Sequence, residues 1–152
     1  METQENPQTE EQEHYPEEQG VAIYSKLAIL LFSIFFDPII GGVLLMLNLR
    51  SVGYKREGTG VLLFSIAFYF ISSFLISYIA SAMGIALTMD NLLKNPRIIV
   101  TLLVLKIIGG GILAEYFFKK YFPHDDYEHK SIWGALLITL LVIIPLSMLV
   151  RI

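Results

Sequence analysis

The sequence predicts an all-α protein, a four-helix transmembrane bundle preceded by a disordered acidic N-terminal tail. The first observation is four apolar blocks, over residues 24–49, 60–87, 98–118 and 132–150. A helix rises about 1.5 Å per residue, so about twenty apolar residues cover the roughly 30 Å hydrocarbon layer, and every block reaches or approaches that length. The second is composition: 152 residues that are 55% hydrophobic and 16% charged leave too little polar surface to wrap a soluble core of this size. The third is the uneven spread of charge behind the formal net of -3. Seven glutamates (Glu2, Glu5, Glu10, Glu11, Glu13, Glu17 and Glu18) precede the first block with no Lys or Arg among them, while the remainder carries 11 basic against 7 acidic residues.

Residues 1–22 are rich in Glu and Gln and contain Pro7 and Pro16, so they bury too little apolar surface to offset the entropy of ordering. They read as a solvated tail, with a docking arm for a basic partner as the alternative. The start at Met1-Glu2-Thr3-Gln4 lacks the basic opening of a secretory signal, so the first block is expected to stay as an anchor. With no cysteine there is no disulfide, thiolate nucleophile or Cys metal site.

Residues 23–152 form the four-span domain. In the first span Asp37-Pro38 stands at the middle, followed by Gly41-Gly42, and a proline that removes a donor and crowds the preceding turn predicts a kink. The second span carries Ser65, Tyr69, Ser73, Ser77 and Ser81 at four-residue spacing, one ridge of a helix. Serine there also bonds its own backbone and permits close packing. The third holds Lys106 and then Gly109-Gly110-Gly111, a run that lets another backbone approach but weakens the helix. Glu115, near its end, reaches the interface. The fourth contains Pro145 and is followed by Arg151.

Asp37 and Lys106 are the sharpest features. Asp37 is thirteen residues from both Tyr24 and Arg50, about 19 Å by helical rise and close to the midplane. Lys106 is nine residues past Arg97, roughly 13 Å in, and its long side chain covers the remaining depth. A charge at a helix centre costs about 2.5 to 3.5 kcal/mol on insertion scales, so both should face the interior and pair. The pair reads either as a switch in a polar pathway, with Tyr69 and Ser73 nearby, or as a static bridge that fixes helix packing.

Counting Lys and Arg near the span ends sets Arg50, Lys55, Arg56, Lys119, Lys120 and Lys130 against Lys26, Lys94, Arg97 and Arg151. The positive-inside rule then places the first and third loops in the cytoplasm and both termini outside. Ile39-Ile40-Gly41-Gly42 recurs as Ile107-Ile108-Gly109-Gly110, 68 residues on. That echo reads as a parallel repeat of two hairpins or as chance in glycine-punctuated apolar sequence.

The third loop contains His124, Asp125 and His129, metal-ligand types at spacings that suit a solvated loop better than a closed site, so no metal or other cofactor is expected. No nucleophile elbow, H-E-x-x-H or P-loop occurs, which speaks against an enzyme, and no catalytic residue stands out. Basic residues at membrane borders suit lipid head groups, not nucleic acid. The stretch from Phe35 to Arg50, with its Pro38-x-x-Gly41-Gly42-x-x-Leu45-x-x-Asn48 pattern, resembles the first segment of small uncharacterised bacterial multi-pass membrane proteins. That resemblance implies a bacterial cytoplasmic membrane and no known activity. Two functions follow: a non-enzymatic bundle that assembles with itself or a larger membrane complex through its Gly and Ser faces, or a small ion or solute transporter or channel subunit working through Asp37 and Lys106.

Overall fold

The computed structural model describes residues 21–88, 91, 94–123 and 127–149, with side chains up to residue 141 in the last helix. The acidic tail before residue 21, His124, Asp125 and Arg151 lie outside the described residues, as does the side chain of Pro145. Among the described residues the regular elements are helices: α1 (Lys26–Phe35), α2 (Pro38–Ser51), α3 (Lys55–Ala82), α4 (Pro96–Tyr121) and α5 (Ile132–Leu149). Of these, α3 and α4 are long and apolar enough to cross a membrane. The backbone of α4 widens to a π-helix over Ile112–Phe118, just after its three glycines.

The first apolar block is a hairpin and not a kinked span. α1 ends at Phe35 with Phe36 as its cap, α2 starts at Pro38, and the chain reverses between them. A Cβ placed on Gly41 would lie 2.9 Å from the Ile29 carbonyl and against the Ser33 hydroxyl, while the Asn48 side chain bonds the backbone of Tyr24. In a kinked helix Ile29 and Gly41 would be about 18 Å apart, so these contacts require antiparallel helices. The expectation of a single span over 24–49 is therefore corrected. Proline does remove a donor, but as the first residue of a new helix, where the missing N–H has no partner to lose. Asp37 caps that helix in an extended conformation (φ -167°), which opens the chain for the reversal.

From this hairpin the other helices follow. Gly53, at φ +91°, turns the chain from α2 into α3, which runs back antiparallel, with Gly58 beside Met46 and Ser65 beside Gly42. α4 returns antiparallel to α3, since Phe68 lies against Gly109 and Leu30 and Ser33 lie against Gly110. The adjacent glycines of α2 stand about 100° apart and so touch different neighbours, Gly41 meeting α1 and Gly42 meeting α3. Gly109 and Gly110 of α4 divide their contacts in the same way, between Phe68 with Pro38 and α1. Gly111, expected to join them, faces open space: a methyl group there would meet nothing within 4 Å, so it serves no close approach.

The hairpin base is braced by polar and aromatic groups. Asn48, 2% exposed, accepts from the Tyr24 N–H at 2.8 Å and donates to the Tyr24 carbonyl at 2.7 Å. Ile23 exchanges backbone bonds with Glu128 (2.9 Å) and Lys130 (2.8 Å), a bridge that ties the entering chain to the loop after α4. The Tyr54 and Tyr121 rings meet at a tilt with centroids 5.8 Å apart, and the Lys130 ammonium lies 5.2 Å from the Tyr24 ring. The entering chain, the α2–α3 turn and the α4–α5 loop thus share one end of the molecule. This corrects the expectation that the first block carries the chain from one side to the other.

Candidate functional site

The hairpin tip gathers Asp37 and Lys106. α1 ends with carbonyls that have no helical partner and carry partial negative charge, whereas α2 begins with partially positive N–H groups. Each end is met by a charge of opposite sign. The Lys106 ammonium of α4 donates to the Phe36 carbonyl at 2.6 Å, and the Asp37 carboxylate accepts from the Ile39 N–H at 3.1 Å. Pro38 packs on Gly109, so the tip is pressed against α4 where that helix has no side chain.

A cavity of about 50 Å³ lies over this tip, lined by Asp37, Pro38, Phe68, Tyr69, Ser72, Ser73, Ile76, Leu102, Leu105 and Lys106. Both charges therefore face one space, together with three hydroxyls. They are not in ion-pair contact: among the described residues, the ion pairs within 4 Å join Glu115 to Lys26 and, at 2.6 Å, to Lys119, at the exposed surface of the base. The expected direct bridge is replaced by two separate contacts with helix ends. A charge-assisted bond to a half-buried backbone group satisfies each side chain without requiring the other.

The serine ridge divides. Ser65 is fully buried, donates to the Val61 carbonyl at 3.0 Å and packs on Gly42. Tyr69 and Ser73 line the cavity, while Ser77 and Ser81 are exposed. Four-residue steps advance about 40° beyond a full turn, so a ridge that starts inside winds about 160° by its fifth member and leaves the packed face. The face that lines the cavity follows helical spacing instead, through Tyr69, Ser72, Ser73 and Ile76. The four-residue pattern does not single out Ser72, yet its buried Oγ has no hydrogen-bond partner. A 3.6-residue period drawn through Tyr69 would have found it. Asn48 stands in the sequence pattern without a role, and its clamp on Tyr24 needs a contact across 24 residues that spacing does not reveal.

No protein family, no curated protein and no solved structure matches this chain. Its function has to be read from these residues.

Proposed function

We propose that this chain is a multi-pass protein of a bacterial cytoplasmic membrane, and that it is a small transport or permeation subunit whose ion-handling site is the hairpin tip. The lipid bilayer is its first partner. Phe74 of α3 is 76% exposed and Leu141 of α5 71%, apolar faces that hydrocarbon covers at no cost and water does not. In this reading α3, α4 and α5 cross, and α1–α2 is a re-entrant hairpin that enters and leaves on one side. By helical rise its tip stands about 16 to 20 Å from Tyr24 and Asn48, near mid-bilayer. Re-entrant backbone is tolerated at that depth only where protein or a water-filled cavity covers it.

The hairpin also changes the orientation expected from four crossing blocks, moving the N-terminal segment from the outside to the cytoplasm. Lys26, Arg50, Lys55, Arg56, Lys119, Lys120 and Lys130 share the base end, against Lys94 and Arg97 at the other end among the described residues. The positive-inside rule then places the base, and with it the N-terminal segment, in the cytoplasm. The tyrosines at the base suit the membrane interface.

The observation that carries the reading is that two opposite charges, each bonded to one end of the broken helix pair, line one small cavity together with three hydroxyls, akin to the arrangement by which discontinuous helices hold ions at mid-membrane. Asp37→Asn tests it, because Asn caps a helix as well as Asp but carries no charge. Purified protein in proteoliposomes should pass a small ion, and Asp37→Asn should abolish that flux while eluting and unfolding like the wild type. Equal flux from both proteins, or none from either, would overturn the reading. A second reading is favoured by the completeness of the tip's own bonding: Lys106 and Asp37 would then be braces, in an assembly that acts as a homo-oligomer or as part of a larger membrane complex. It expects Asp37→Asn to be silent.

A further inference from the structure

We infer that the cargo of the tip site is a proton, exchanged at the Asp37 carboxylate through water held in the cavity; this rests on the transport reading above. Volume removes the organic solutes. About 50 Å³ takes a few waters and no amino acid, sugar or base. Charge discriminates among the ions that remain. A metal cation in the cavity would share it with the Lys106 ammonium, which the Phe36 carbonyl holds in place, and an inorganic anion would meet the Asp37 carboxylate. A proton removes this conflict, because it joins the carboxylate itself.

The step balances. Hydronium reaching the cavity gives its proton to the Asp37 oxygen not engaged with Ile39, leaving a neutral carboxylic acid and a water. Return of the proton to water on the other side restores the carboxylate. The Ile39 N–H remains bonded through the first oxygen, so the helix cap survives both states. Ser72 Oγ is buried with no partner and lines the same cavity, a ready contact for the water that carries the proton. Among the described residues lining the cavity, the other titratable groups are Tyr69 from α3 and Lys106 from α4.

Proteoliposomes loaded with a pH-sensitive dye and given a pH step, with Na⁺, K⁺ and Cl⁻ fluxes followed in parallel, test the inference. The wild type should dissipate the step, Asp37→Asn should slow it about tenfold or more, and Ser72→Ala should slow it less. Infrared difference spectra between acid and neutral pH should show a protonated-carboxyl band that Asp37→Asn lacks. If Asp37→Asn removes a Na⁺, K⁺ or Cl⁻ flux and leaves the proton flux unchanged, the proton assignment is overturned and the transport reading stands. If Asp37→Asn alters no flux at all, both are overturned.

Discussion

The two halves of this molecule are built on opposite terms. Between base and tip all five helices are present, Gly41 and Gly42, about one turn from the tip, let α2 settle against α1 and α3 at once, and Asn48 and Ile23 tie down the entering chain at the base. Beyond the hairpin tip α1 and α2 have ended, and α3 runs on for some ten residues past Ser72, with Phe74 and Tyr78 largely exposed. The base satisfies its polar groups within the chain. The site over the tip does not: Ser72 lacks a partner, and one oxygen of Asp37 bonds nothing in the backbone. Under the proposed function, the polar groups left incomplete at the tip are where something other than the protein binds.

This contrast can be broken by substitution. The largest effect is expected from Gly42→Val: even its Cβ would lie 2.7 Å from the Ser65 Cβ, and overpacking of this kind costs about 3 kcal/mol. Detergent-unfolding titrations should show the loss. Asn48→Leu should follow, at about 2 kcal/mol, because it leaves the Tyr24 N–H and carbonyl buried and unpaired. Hydrogen exchange should then rise at Ile23 and Tyr24 before it rises in α3. Gly111→Ala, in open space on α4, should stabilise by up to about 1 kcal/mol through helix propensity alone. The smallest effect belongs to Lys119→Ala: its pair with Glu115 is exposed at the surface, and the unfolding midpoint should not move measurably.

Much of the architecture is legible in residue types. Apolar block lengths mark the long helices, and the two glycine pairs mark helix contacts. The reversal at Asp37-Pro38 is not legible. Ten and fourteen apolar residues joined by a dipeptide have the same composition as one kinked span of the same total length, and hydropathy carries no direction. What separates the two is the pairing of Gly41 with Ile29 and of Asn48 with Tyr24, tertiary facts that local pattern does not encode. The two charges stand out in the sequence for a sound reason, their expense in hydrocarbon, but that reason does not name their partners. A broken helix supplies its own backbone charges, and Lys106 and Asp37 answer those ends in place of each other.

Everything assigned to the tip depends on the first block turning back within the bilayer. The sequence has no cysteine, so single cysteines at Val21, Val52 and Met83 can be probed in sealed vesicles with a membrane-impermeant thiol reagent. The account predicts that Val21→Cys and Val52→Cys react from the same side and Met83→Cys from the opposite one. Reaction of Val21→Cys and Val52→Cys from opposite sides would contradict it.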